Sequence, residues 1–406
     1  MRVSTSQFYL QSAQNMAARN TDVHKQATYI DSGKRVLTAK DDAVSYSSLA
    51  GYKEGINQIS QYTRNITLST GSNQQTETAF EVTQDVLLNV KSRFIQANNG
   101  SLSDDDRQSL ATQMKQYLEQ VLDIANSKDE TGGFIFSGHQ IDKQPFALQA
   151  DRSVIYQGDS GINQLAISNS VVVNMNQSGD EAFVKIANAV GDFSPEYNTN
   201  NGSATVTRAV VADRGSYDVA TFPPGYTLDF TDADNNGQLE VVVTDSAANP
   251  VSTIDPFVPG QPFTFNGVEV TIEGTPEVGD QFGLGEDEDV SIFETLKAAI
   301  EWLETDSTAA NTSQHQIDYG HILSQINSAA SHISAQQGIM GVNLQLIVSQ
   351  ESQHLDTNLS LEKGRSSIED LDFYQAATTL EQSKVALEAA QLTFSKIQGL
   401  SLLNYI

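Results

Sequence analysis

Hydrophobic residues recur every seven positions at both ends of the chain. Near the C-terminus, two interleaved series have the members Phe373, Leu380, Leu387 and Phe394, and Ala376, Ser383, Ala390 and Ile397. Near the N-terminus, steps of four and three residues alternate along Tyr9, Ala13, Met16, Asn20, Val23, Ala27 and Ile30. This spacing is typical of helices that bury one stripe against another helix. The ends are therefore predicted to pair with each other or with neighbouring copies of the chain.

Helical spacing continues inward from both ends. It predicts helices over residues 5–32, 42–98 and 103–127, and again from residue 290 to the C-terminus. Ser103 and Asp106 form a capping box, in which each side chain accepts a hydrogen bond from the backbone N–H of the other residue. Asp41 or Asp42 can cap the long second helix by accepting from an unpaired N–H.

The middle of the chain follows a different pattern. Short stretches rich in β-branched and aromatic residues alternate with turn residues, and they predict strands at 153–156, 170–173, 204–211, 227–230, 239–244, 262–265 and 268–272. Eight of the nine prolines lie between residues 195 and 276. With turn sequences such as Asn266-Gly267, this composition predicts an all-β insert built of hairpins.

The predicted fold class is α+β. It is an elongated α-helical rod, a terminal coiled coil plus a helical bundle built from the N- and C-terminal segments, with an inserted all-β domain. The predicted domains are 1–42 with 371–406 for terminal coiled-coil assembly, 43–140 with 290–370 for the helical rod, and 141–289 for the outer β domain. The expected assembly interface comprises Tyr9, Met16, Val23, Ile30, Phe373, Leu380, Leu387, Phe394, Ile397 and Leu403.

The charge of the chain limits its possible partners. The chain has a net charge of −28 and no cysteine, and residues 142–289 hold 23 acidic against 5 basic side chains. Such a surface argues against binding to nucleic acid or to an anionic membrane. The N-terminal residues lack the apolar segment of a secretory signal, and no stretch is long enough to span a membrane. If the protein leaves the cell, we expect an uncleaved route other than general secretion.

Several short segments resemble the flagellin family. They are Met1-Arg2-Val3-Ser4-Thr5, Ser32-Gly33-Lys34-Arg35-Val36, Lys40-Asp41-Asp42-Ala43 and Leu400-Ser401-Leu402-Leu403-Asn404-Tyr405-Ile406. The resemblance covers residues 1–140 and 290–406. A further segment, Gly132-Gly133-Phe134-Ile135-Phe136-Ser137-Gly138 followed by Pro145-Phe146, is similar to one found in hook–filament junction members of the family and not usual in flagellin itself.

This resemblance implies a structural role in the extracellular bacterial flagellum. It implies export through the flagellar type III apparatus without signal peptide cleavage, with help from an export chaperone. It also implies self-assembly in a helical array on the first hook-associated protein, where the chain would template flagellin polymerisation. The alternatives are a flagellin of the filament itself, or a flagellum-associated adhesin that uses the β domain. An adhesin would need exposed aromatic residues, whereas the one tryptophan, Trp302, falls on a predicted helix.

Candidate chemistry elsewhere is sparse, so no enzyme activity, cofactor or metal is expected. Asp232, Asp234, Asn236 and Glu240 match half of a calcium loop, but its twelfth position is valine and its flanks are strand-like, so we interpret it as a hairpin turn. His321 and His332 have no third ligand nearby in sequence and are interpreted as ordinary surface or interface histidines.

Two further expectations concern the motif and the ends. The motif residues Phe134, Phe136, Ser137 and Gly138 form either a partner-binding patch or a packed core element. Residues 1–40 and 371–406 are expected to be mobile in the monomer and to fold on assembly, because a thin pair of helices cannot bury two apolar faces.

Overall fold

The structure is a computed structural model that describes residues 2–130, 132–217, 225–233, 235–305 and 312–403. The side chains of residues 2–6, 312 and 397–403 lie outside this description. The described residues form six α-helices: α1 Arg2–Ser32, α2 Ala43–Ala97, α3 Asp104–Ala125, α4 Ile292–Glu304, α5 Thr312–Glu369 and α6 Phe373–Leu403.

The described residues also form one π-helical turn and twelve strands. The π-turn is Asp180–Val184, and the strands are β1 Phe146–Leu148, β2 Val154–Tyr156, β3 Gln164–Ala166, β4 Val172–Asn174, β5 Phe193–Thr199, β6 Thr205–Val211, β7 Tyr226–Thr231, β8 Glu240–Asp245, β9 Pro250–Ile254, β10 Phe263–Phe265, β11 Val268–Glu273 and β12 Gln281–Glu286. Helical segments toward both ends with antiparallel sheets between them confirm the predicted α+β class.

Two compact units divide the chain. Unit 1 is Met1–Ile66 with Val348–Ile406, and unit 2 is Thr67–Ile347. Both boundaries fall inside long helices, α2 and α5, and not at the predicted residues 42 and 371. A turn in the sequence marks where a helix ends, whereas the boundary of a compact unit marks where side-chain packing changes.

Side-chain caps fix the starts of three helices. The Asp42 carboxylate accepts hydrogen bonds from the backbone N–H groups at the start of α2, including that of Ser45 at 3.0 Å. Ser103 opens α3 with the predicted capping box. A second capping box, Ser291 with Glu294, opens α4 and was missing from the prediction. Each cap satisfies N–H groups that have no partner inside the helix.

Unit 2 contains two hydrophobic cores, and the first is mostly helical. It joins α2, α3, α4 and α5 through side chains such as Leu87, Leu296 and Ile333. It also includes Phe146 of β1 and Phe183 of the π-turn, so residues 141–186 pack with the helices. The independent β domain therefore begins after Ile186, later than the predicted boundary at residue 141.

The second core lies between two antiparallel sheets, which we call the β domain (residues 190–286). One sheet has the order β5-β12-β7-β8-β9 and the other the order β10-β11-β6. Burial alternates along β7 and β8, so one face of the larger sheet is packed. The rings of Tyr226 in one sheet and Phe265 in the other lie 5.0 Å apart, across the shared core.

Five strands were not predicted: β1, β3, β5, β9 and β12. Two of them, β5 and β9, contain a proline (Pro195 and Pro250). Proline argues against a strand in the sequence because it cannot donate a hydrogen bond to a sheet ladder. Both are edge strands of the larger sheet, where the missing N–H costs little. Two glycines, Gly283 and Gly285, gave β12 no strand-like pattern, although it pairs with β5 and β7.

His321 of α5 contacts the β domain within unit 2. Its Nε2 lies 2.8 Å from the hydroxyl of Tyr197 and 3.1 Å from Oγ1 of Thr205. The Tyr197 oxygen also accepts from the backbone N–H of Val206 at 3.0 Å. Burial lowers the pKa of His321, which favours the neutral ring. His332 contacts a different element, the carbonyl of Glu181 at 2.8 Å.

Replacing His321 with glutamine should weaken the pH dependence of folding. Because burial lowers the folded pKa below the ordinary value of 6.5, the unfolded chain binds a proton that the folded chain does not. Stability is then lost as the pH falls below that ordinary value. In urea unfolding between about pH 7.5 and about pH 5, the wild type should lose more free energy of unfolding than His321→Gln. The exposed His24→Gln is the control, and equal losses in wild type and His321→Gln would contradict the assignment.

Candidate functional site

The two terminal helices pair in unit 1, and their predicted stripes face each other. Half-buried positions on α1 are Ala13, Met16, Val23, Ala27 and Ile30, and on α6 they are Leu380, Ser383, Leu387, Ala390 and Phe394. Ala376 is buried, and the rings of Tyr9 and Phe394 lie 5.0 Å apart. The structure therefore brings together most of the predicted interface residues within one chain.

One predicted interface residue is placed differently. Phe373 is 58% exposed and packs beside the turn at Gly33, where a Cβ would lie 3.6 Å from its ring. The side chains of Ile397 and Leu403 lie outside the described part of the chain.

A second apolar stripe of α6 is exposed on the outer side of the helix pair. Tyr374 is 86% exposed, Val385 63% and Leu392 65%. Tyr374 and Val385, together with Thr378 and Ala389, border a shallow groove of about 720 Å³. Phe8 and Leu10 of α1 are also exposed. We call Tyr374, Val385 and Leu392 the outer stripe. Exposed apolar residues repeating along a helix are typical of an assembly surface.

The junction-type motif is a packed element of the first core. Phe136 is fully buried, and its ring centroid lies 4.9 Å from that of Phe183 and 5.6 Å from that of Phe80. Its carbonyl accepts from the hydroxyl of Tyr156 at 3.0 Å. Phe134 is half-buried, with the Lys128 ammonium 4.5 Å from its ring centroid. For Phe136 the core interpretation holds, and the partner-patch interpretation does not.

The last two motif residues close a tight turn. Ser137 is buried and donates to the carbonyl of Phe134 at 3.0 Å. Gly138 has φ +75°, and a Cβ there would clash with Asp159. The Asp159 carboxylate in turn accepts from the N–H groups of His139 and Gly161, both at 2.8 Å. Any larger residue at position 138 would open this turn.

The suspected calcium loop is a hydrogen-bonded hairpin between β7 and β8. The Glu240 carboxylate accepts from Thr231 Oγ1 at 2.8 Å and from the N–H of Ala233 at 3.0 Å. Asp232 accepts from the N–H of Gly237 at 3.1 Å, and Asp234 lies outside the described residues. In the part of the chain that the structure describes, no three potential ligand side chains lie close enough to hold a metal ion.

None of the described helices combines the length and the hydrophobicity that crossing a bilayer requires.

One unit with paired terminal helices, and a second unit with a helical core and antiparallel sheets inserted in the sequence between the helices, define the class to which this chain belongs. It matches the bacterial flagellin N-terminal helical region over residues 3–141 and the bacterial flagellin C-terminal helical region over residues 323–406. The chain is a member of the flagellin family.

Relatives within that family carry a more specific name. Flagellar hook-associated protein 3 of Escherichia coli is 30% identical over 213 residues, which are 52% of this chain and 66% of that protein. The flagellar junction protein FlgL of Legionella pneumophila superposes with a TM-score of 0.65 at 28% identity, covering 79% of this chain and 100% of that one. FlgL of Xanthomonas campestris gives 0.63 at 25% identity, covering 78% and 99%.

Trypsin should cut the terminal helices of the monomer before it cuts the helical core. The α1–α6 seam includes alanine, serine and asparagine positions that bury little area, and its outer stripe is exposed. Cleavage at Arg19, Lys25 and Lys384 is therefore expected to precede cleavage at Arg93, an exposed site on the packed part of α2, as read by mass spectrometry. Equal resistance at all four sites would refute the expectation of mobile ends.

Phe136→Ala should strongly destabilise unit 2. Removing a fully buried phenylalanine leaves a cavity and costs about 3–5 kcal/mol of unfolding free energy. The matched control Phe134→Ala removes a half-buried ring from the same motif and should cost about 1 kcal/mol. Urea unfolding followed by the fluorescence of Trp302, which lies in the same core, measures both. Similar losses in the two variants would show that Phe136 is not a core residue.

Proposed function

We infer that this chain is a structural protein of the bacterial flagellum, located at the junction between hook and filament. The observation that carries this function is the α1–α6 pair with its exposed outer stripe, at the ends of a chain that belongs to the flagellin family. A stripe of three large side chains, each more than 60% exposed, gains free energy when neighbouring copies cover it. Its relatives include proteins named for the hook and for the junction.

We further propose the partners of this assembly. The chain would assemble on the first hook-associated protein and offer its other side to flagellin, as a short zone of the helical array. An export chaperone would bind it in the cell, and the flagellar type III apparatus would carry it out unfolded with its N-terminus uncleaved. The charge distribution supports this arrangement, because the ends are nearly neutral and suit a crowded interior, whereas the acidic middle suits water.

The structure gives less support to the adhesin alternative. Carbohydrate-binding surfaces use exposed aromatic rings. In the described part of the β domain, the large hydrophobic residues that are exposed are Val258 and Val278, both aliphatic. Trp302 is 5% exposed and its ring is stacked on His315 in the first core.

Deletion and complementation test the proposed function. Cells without this gene should keep hooks, lack filaments in electron micrographs and shed flagellin into the medium, because filament growth has no junction to start from. The full chain should restore filaments and swimming. Normal filaments on the deletion strain would contradict the junction role and favour a redundant flagellin.

Surface variants then test the assembly surface. The double variant Val385→Ser with Leu392→Ser should not restore filaments, because it makes the outer stripe polar. The control double variant Ile155→Ser with Val172→Ser changes two other exposed aliphatic residues, on β2 and β4, and should restore filaments. Secreted protein in the medium shows that each variant was exported. Full restoration of filaments by the stripe variant would show that the outer stripe is not part of the assembly surface.

A further inference from the structure

The linker between α1 and α2, residues 33–42, is bonded to the C-terminal end of α5 within unit 1. The carbonyl of Gly33 accepts from the N–H of Leu371 at 3.0 Å, and the carbonyl of Glu369 accepts from the N–H of Arg35 at 2.8 Å. The Arg35 guanidinium donates to the carbonyl of Ile368 at 3.1 Å.

The carboxylate of Glu369 lies at the centre of this contact. Glu369 is only 4% exposed, and its oxygens lie 2.7 Å from Nζ of Lys34, 2.8 Å from Nζ of Lys53 and 3.6 Å from Nε of Arg365. These three cations come from the linker, from α2 and from α5. Burial alone would raise the pKa of Glu369, but hydrogen bonds from the two lysines outweigh it and lower the pKa.

Asp41 holds the other end of the linker to α1. Its carboxylate accepts from the hydroxyl of Tyr29 at 2.7 Å and from the backbone N–H of Thr38 at 3.0 Å, and it lies 3.3 Å from Nζ of Lys25. Led by the bond from Tyr29, these contacts hold the pKa of Asp41 well below its usual range. The linker is therefore tied to α1 by one carboxylate and to α5 by another.

We propose that Glu369 is the positioning residue of the terminal helix pair. Its single carboxylate bridges Lys34 of the linker and Lys53 of α2, and so fixes where α1 ends and α6 begins beside the α2 and α5 segments of unit 1. A glutamine of the same shape cannot replace it, because it lacks the negative charge that pairs with these three cations. Both lysines contact the same oxygen of Glu369, so the amide N–H₂ of a glutamine would take the place of the other oxygen and face the Arg365 guanidinium. The inference rests on the proposed function, because the helix pair is the surface by which the chain assembles.

Trypsin reports on this contact directly, because Lys34 and Arg35 are themselves trypsin sites. In the full-length monomer, Glu369→Gln should raise the cleavage rate after Lys34 and Arg35 by at least about tenfold, since cleavage follows the population of the opened form. Cleavage at Arg214, an exposed loop site of unit 2, is the internal reference and should not change. Glu351→Gln removes an exposed carboxylate from the same helix and should leave all rates unchanged.

Unfolding and assembly measurements separate positioning from general stability. Urea unfolding of unit 2, followed by Trp302 fluorescence, should be the same in Glu369→Gln and wild type, whereas complementation by Glu369→Gln should give fewer filaments than complementation by Glu351→Gln. Glu369→Asp keeps the charge and should restore filaments at least in part.

Three results would overturn the inference: unchanged cleavage after Lys34 and Arg35 in Glu369→Gln, full filament rescue by that variant, or no restoration by Glu369→Asp. If the wild-type chain itself failed to restore filaments, that result would contradict the proposed function and not the inference about Glu369. The cleavage result in the monomer does not depend on that function.

Discussion

A cluster of five phenylalanines is the contact on which the architecture of unit 2 depends. Phe80 of α2, Phe136 of the motif, Phe146 of β1, Phe183 of the π-turn and Phe293 of α4 lie in one network of ring contacts between 4.9 and 6.3 Å. Aromatic rings in such contacts contribute beyond the area they bury. Because each ring comes from a different segment, the cluster joins α2 to α4, which follows the β domain. Phe183 of the π-turn is in its middle, since its ring contacts the other four.

The terminal helices differ from this cluster, because their shared seam is built largely of small side chains. Their seam contains Ala13, Ala27, Ser383 and Ala390, small side chains that let two backbones approach but bury little surface. The apolar residues that remain are divided between the seam and the outer stripe of α6. Under the proposed function, neighbouring copies would cover the apolar surface that such a helix pair leaves exposed. The ends of the chain and its middle would then follow different sequence patterns because only the ends bury their surface between copies.

The periodicity and capping residues of short sequence segments predicted the helices and their packing faces. The heptads put Tyr9 and Phe394 on two predicted helix-packing stripes, and the structure brings their rings into contact. Ser103 with Asp106 predicted the start of α3 to within a residue. The candidate site was predicted less completely, since Phe136 could be either core or surface until the π-turn supplied Phe183 as its neighbour. The contact between Lys34 and Glu369 could not be predicted, because it joins residues more than 300 positions apart with no periodicity to link them. An ion pair between residues so far apart produces no pattern within any short segment of the sequence.

The two connections to the β domain explain how so large an insert fits between the helices. The chain enters and leaves the domain side by side: the N–H of Asn188 donates to the carbonyl of Glu288 at 3.0 Å, and the N–H of Val290 donates to the carbonyl of Ile186 at 2.8 Å. Ends that lie this close can hold an insert of almost any length without moving the elements on either side. The β domain has its own core, so changes within it leave the phenylalanine cluster intact. The helical core therefore constrains the sequence of the β domain mainly at these paired connections and where α5 contacts it, as His321 does with Tyr197 and Gln314 with Asn200.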